Sequence, residues 1–257
     1  MFPEINSGTV FFLYLAIFFF AILFRYFLAA GIFYYYYYVW YYEKFHAKKL
    51  SRRGAKKAQL KNEIIWSIKA SLIFALAGTI LYWLWTKDHT AIYLAPDAFG
   101  YWYLPVSLIL ILLIHETYYY WVHRWMHHPR IYKTVHKVHH DSLTPTPWTA
   151  FSFHPWESLL EAIILPLILL IIPVNIYVLI FYLLLMTLSS VINHLDIEVY
   201  PTGFQKSWFG KLFIGATHHH YHHAEFNTNY GLYFTFWDKL MGTESSKMEG
   251  TESDLNL

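Results

Sequence analysis

Fourteen of the sixteen histidines in this 257-residue chain lie between His115 and His223. Three clusters dominate: HRWMHH (His123, His127, His128), HKVHH (His136, His139, His140) and HHYHH (His219, His222, His223). Neutral imidazole is a metal ligand. Positions i, i+3 and i+4 share one helix face, so each H-x-x-H-H unit can aim three rings at one point. His123 and His127 share a face too. His128 lies about 140° round the wheel from His123 and joins only if the helix ends before Pro129. Eight or nine imidazoles exceed what one first-row ion can take, so two ions fit better, and imidazole suits Fe, Zn, Cu and Ni alike. With no cysteine, thiolate and iron–sulfur chemistry are excluded and only N and O ligands remain. A lone interfacial histidine is usually a satisfied polar residue, and a His-rich run can bind metal adventitiously. Neither accounts for two H-x-x-H-H units, because so many buried imidazoles without partners would cost several kcal/mol.

Other polar residues stand close to these clusters in sequence. His194 follows an apolar run, next to Asn193 and near Asp196 and Glu198, and is read as a further ligand. His154 precedes Pro155 at the start of another run and is either a supporting residue or a structural one. Glu116 lies seven residues before His123 on the same stripe. A carboxylate in an apolar span is costly and usually functional, so Glu116 is expected to accept an N–H from a ligand histidine of another segment. His115 is either a supporting residue or a plain polar residue of the bundle.

The elements that must position these rings are apolar. Hydrophobic residues make up 56% of the chain and charged ones 14%, well below a soluble domain's usual share. The reading is an all-α, polytopic membrane bundle of about four spans with a His-rich metal-binding cap. Residues 9–42 form the first span, ending in the aromatic run YYYYYVWYY, which suits an interfacial belt; Arg25 is its one charge. The opening MFPEINSG lacks a basic leader region, so this span is expected to be retained. Residues 43–61 are basic (Lys44, Lys48, Lys49, Arg52, Arg53, Lys56, Lys57, Lys61), which places them in the cytoplasm. Spans over 64–85 and 103–128 follow. The runs 159–172 and 174–192, split by Pro173, then form a hairpin that returns to the side it left. All the histidine boxes thus meet on one cytoplasmic face. The division is residues 1–62, a membrane helix and basic linker, and 63–257, a catalytic domain with its motif core at 116–243. A net charge of +2 gives no footprint for nucleic acid.

The order HRWMHHP, YKTVHKVHH, TPTPWTAFSFHPWE, NHLDIE and THHHYHHAEFNTNYGLYFTFWDKLMGT resembles the sterol desaturase / fatty acid hydroxylase superfamily, most of all the sterol C5-desaturases. The resemblance spans Glu116 to Thr243. It implies a membrane enzyme with two non-haem irons and O₂ as co-substrate, zinc being able to substitute in recombinant protein. It further implies ligands at His123, His128 (or His127), His136, His139, His140, His194, His219, His222 and His223. Related hydroxylases carry another histidine where this chain has Glu198, leaving a carboxylate ligand or an open position there. The substrate implied is a lipid: sterol-like, carotenoid or acyl. The chain shows no dinucleotide motif, so a separate electron-donor protein is implied, with the basic surface around residues 44–61, Arg130, Lys133 and Lys137 to attract it. A bacterial inner membrane and an endoplasmic reticulum suit the chain equally. The competing reading is a membrane metal-binding or transport protein without redox chemistry. It is disfavoured because no internal repeat is seen and the ligands gather at one face. A zinc hydrolase is disfavoured by the absence of H-E-x-x-H.

Overall fold

The computed structural model describes residues 4–51, 53–201 and 203–248; Arg52 and the C-terminal SDLNL lie outside them. Helix α1 (Gly8–Tyr35) opens on Ser7, whose hydroxyl accepts Val10 N. It passes into a wider π-turn over Tyr36–Trp40 and the short α2 (Tyr42–Phe45). The tyrosine run is therefore where the first helix ends and the chain turns, not a straight continuation to Tyr42. Then come α3 (Lys57–Thr86), α4 (Tyr103–Met126), α5 (Pro129–Val135), α6 (Lys137–His140), α7 (Pro155–Ile171), α8 (Ile176–Asn193), α9 (Ala216–Glu225) and α10 (Phe236–Leu240).

Gly8–Trp40, α3, α4 and α8 are long and apolar enough to cross a bilayer; α7 is shorter. α1 is apolar all round, and Phe12, Phe20 and Phe24 are each about two-thirds exposed. A water-facing helix would not present such a surface, whereas a lipid-facing one does. The chain is an integral membrane protein.

Two short strands fix which ends lie together. Ile92–Tyr93, between α3 and α4, pairs in parallel with Val174–Asn175, between α7 and α8. The α7–α8 hairpin therefore turns beside the α3–α4 connection, and Lys87 pairs with Glu4 at the same end. The C-termini of α4 and α8 and the N-terminus of α7 lie at the opposite end, where the histidines are. The basic segment shares that end: Leu50 N donates to Asp196 O, and the Ser51 amide and hydroxyl both donate to Asp196 Oδ1.

Leu81, Ile111, Ile168, Leu169, Val178 and Tyr182 form the core joining α3, α4, α7 and α8. A second core sets Tyr26, Ala29 and Ala30 of α1 against Ala150, Phe151 and Val191. The PTPW stretch packs Trp148 against the second core, on Tyr26, Phe27 and Tyr34 of α1. It is held by the buried Glu63, which accepts from the Thr146 and Thr149 hydroxyls at 2.8 and 3.0 Å.

Candidate metal centre

Nine imidazoles converge at the histidine end in two groups. The first holds His123, His127, His136, His140 and His222; the second holds His139, His194, His219 and His223. α4 delivers His123, with His127 just past its end. α6, begun by His136, and α9 each carry an H-x-x-H-H unit. Neither unit points all three of its rings at one place, as the spacing suggests it could. In α6 the i, i+4 pair (His136, His140) joins the first group and His139 the second. In α9 the i, i+4 pair (His219, His223) joins the second group and His222 the first. The two short helices thus exchange one ring each, because the i+3 ring leans to the far side of the i, i+4 stripe. The groups share a wall, with the His140 and His223 rings 4.6 Å apart between centroids.

Several of these rings have their tautomer set from outside. His123 Nδ1 lies 2.8 Å from Tyr230 O, His222 Nδ1 2.7 Å from Thr228 O, His194 Nδ1 2.7 Å from Ser190 O and His136 Nδ1 2.7 Å from Glu157 Oε1. Carbonyls and carboxylates only accept, so Nδ1 carries each ring's proton and Nε2 presents a lone pair inward. The Nε2 atoms of His123 and His136 face one another at 3.1 Å, His222 Nε2 lies 3.0 Å from His140 Nε2, and His194 Nε2 lies 2.8 Å from His219 Nε2. The lone pairs of His123 and His136, both fixed, repel unless a cation lies between them. Metal–nitrogen bonds of about 2.1 Å at right angles put neighbouring donors about 3.0 Å apart, so the donor sets fit metal ions. Burial, and after it the neighbouring imidazoles, pushes His139, His140, His219 and His223 well below the ordinary imidazole value. Burial likewise brings His194 and His222 down to about 4. At neutral pH these rings are uncharged, which is the ligand form.

The remaining expected site residues lie elsewhere. His128 is exposed and caps α5, accepting Arg130 N at 3.3 Å; His127 is the ring that joins the group. Glu116 meets no histidine. Its carboxylate accepts the backbone N–H groups of Leu232, Tyr233 and Phe234, the closest at 2.7 Å. Glu198 stands outside both groups and caps α9: Oε2 accepts the amide and hydroxyl of Thr217 at 3.0 and 2.8 Å. The first-turn amides of α9 need an acceptor and Gly215 has no side chain to offer, so the carboxylate serves instead. His154 caps α7, accepting Trp156 N at 3.3 Å. His115 lies deep in the bundle, its Nδ1 3.0 Å from Tyr233 Oη. His220 sits 3.4 Å from Asp196 Oδ1 and His218 lies 3.7 Å from Glu244, neither in a group.

The carboxylate that orients a group histidine is Glu157, within FHPWE; its signal was an acid three residues past a histidine, at the start of the following helix. Asp238 carries no sequence signal of its role either. It accepts the amides of Tyr230 and Gly231 at 2.8 and 2.9 Å, fixing the loop whose carbonyls hold His123 and His222. Gly231 is needed for close approach rather than for a turn: a Cβ there would sit 2.5 Å from Phe234 O and 2.9 Å from Glu116 Oε1.

The fatty acid hydroxylase family model matches residues 108–243. Among curated proteins, the chain is 32% identical over 192 residues to a Delta(7)-sterol 5(6)-desaturase of Gibberella zeae, covering 75% of this chain and 58% of that protein. It is 31% identical over 202 residues to lathosterol oxidase of Homo sapiens, covering 76% and 64%. A Delta(7)-sterol 5(6)-desaturase of Schizosaccharomyces pombe is 31% identical over 154 residues, covering 60% and 44%. The chain thus spans less than two thirds of the length of these relatives. No solved structure matches it.

Proposed function

Because the chain belongs to the fatty acid hydroxylase family, we propose that it is a membrane-bound, O₂-dependent oxidoreductase that desaturates or hydroxylates an unactivated C–H position of a sterol-like lipid. Two iron ions are its cofactor. His123, His127, His136, His140 and His222 hold one ion; His139, His194, His219 and His223 hold the other. The observation that carries this reading is the set of inward Nε2 atoms, about 3 Å apart, in two adjoining groups of five and four imidazoles. The names of the relatives favour a sterol-like substrate over a carotenoid or acyl lipid.

When bound, the metal pair supplies the reduction of O₂ and an oxidant for a C–H bond. The protein's own residues prepare the place. Burial keeps the imidazoles neutral, so the site retains the ions' positive charge. Glu157 and the carbonyls of Ser190, Thr228 and Tyr230 lock ring orientation and raise donor strength. The apolar helices α4, α7 and α8 exclude water around the substrate. Electrons come from a separate carrier, drawn to the basic surface that includes Arg130, Lys133 and Lys137. The histidine end faces the cytoplasm of a bacterial cell or the cytoplasmic side of an endoplasmic reticulum, a reading supported by the basic segment it bears and the positive-inside rule. Metal transport fits less well, because both groups lie at one end of the bundle rather than at its midplane.

The test is lipid analysis of a sterol-supplied host expressing the wild type or His222→Ala. A new double bond or hydroxyl in a sterol, present only with the wild type, is expected. An unchanged sterol profile, with the wild type well folded and metal-loaded in a host that supplies a reductase system, would remove the sterol assignment.

A further inference from the structure

At the histidine end, α1 stops at its π-turn and the chain doubles back to begin α3. The fold leaves a cavity of about 360 Å³ in this corner. Tyr34, Tyr38 and Tyr42 line one side; His46, Lys49 and Arg53 line its basic side, and no carboxylate is among its lining residues. The His46 ring stacks on Tyr42 at 5.0 Å, its Nδ1 held by Tyr42 O, which leaves Nε2 free of that bond. Lys49 Nζ sits 5.1 Å over the Tyr38 ring and 3.6 Å from Asp196, a long ion pair with donors to spare. Ile32 and Tyr35 at the end of α1, and Val39 and Trp40 of the π-turn, are each about half-exposed or more. A basic, hydrogen-bonding cavity at the end of an apolar spanning helix sits at headgroup depth.

We propose that this cavity binds the phosphate of an anionic phospholipid, with the acyl chains laid along α1. Two observations choose a lipid over a soluble anion: the cavity lies at the end of a spanning helix whose surface is apolar and exposed, and tyrosines line one side of it, which suits the membrane interface. The cavity also touches the metal-holding end. Tyr38 donates to Leu195 O, next to His194, and Lys49 and Ser51 hold Asp196. A bound headgroup therefore clamps the segment that carries His194. The proposal is independent of the redox reading.

The test uses the full-length protein in mild detergent, offered phosphatidylglycerol, phosphatidylcholine or inorganic phosphate. Retained lipid is counted by native mass spectrometry, and melting is followed in parallel. One phosphatidylglycerol per chain is expected to be retained and to raise the melting temperature, while phosphatidylcholine is lost and inorganic phosphate displaces nothing. Arg53→Glu should weaken retention about tenfold, and His46→Ala should weaken it less. Lys48→Glu makes the same charge change outside the cavity and should retain the lipid. Arg53 is exposed, so its replacement leaves the fold intact. Equal loss in Arg53→Glu and Lys48→Glu would replace the site with diffuse attraction to a basic surface. Displacement by inorganic phosphate would overturn the lipid assignment, and full retention in Arg53→Glu would overturn the site.

Discussion

Replacing His222 with alanine is expected to abolish turnover and to empty the first histidine group. The ring is fully buried, with Nδ1 tied to Thr228 O at 2.7 Å and Nε2 3.0 Å from His140 Nε2. Its removal takes away a donor and leaves a void beside His123 and His140. Changes to outer hydrogen-bond partners alone cost about 10–100-fold in metal affinity, and loss of a ligand costs more. Glu157→Ala, which frees His136 Nδ1, is expected to fall within that smaller range. His220→Ala and His128→Ala are the controls. The first loses a contact to Asp196 and the second a cap on α5, and both should keep metal and activity. Metal content after dialysis, read beside a melting curve, checks the series. Equal metal loss in His220→Ala and His222→Ala, in proteins equally well folded, would mean that the ring assignment on α9 is wrong.

Glu116→Ala is expected to unfold the region around the site rather than to alter its chemistry. The carboxylate is fully buried and accepts the amides of three consecutive residues, Leu232 to Phe234. Each buried N–H left without a partner costs about 1–3 kcal/mol, against a total stability of about 5–15 kcal/mol. The same loop supplies the Tyr230 carbonyl that holds His123, so metal retention falls with it. Glu116→Gln keeps one accepting oxygen but turns a donor toward donors, and should lie between alanine and wild type. A melting temperature unchanged in Glu116→Ala would show that the carboxylate is not the anchor described.

Much of the architecture was legible because its physics is local. Long apolar runs specify spanning helices, Pro173 marks the hairpin turn, and i, i+4 histidines share a stripe. The surplus of imidazoles pointed to two groups. What was not legible depends on tertiary contact. Which ring of an H-x-x-H-H unit joins which group follows from how α6 and α9 face each other, and no spacing encodes that. In sequence, Glu116 and Glu198 suggest chemistry because buried or site-adjacent acids usually carry it. Both instead satisfy backbone amides, of residues 232–234 and of the first turn of α9. The acid that does orient a group histidine, Glu157, looked like an ordinary first-turn residue of α7. His127 and His128 are neighbours in sequence, and only the end of α4 at Met126 decides that the first turns inward and the second caps α5.

The central claim is that the two histidine groups each hold a metal ion. Elemental analysis of wild-type protein, expressed in iron-rich medium and verified as folded, tests it most directly. The account predicts close to two metal ions per chain, with zinc counted as an occupant wherever it has displaced iron. One ion per chain, or none, in well-folded protein would contradict it.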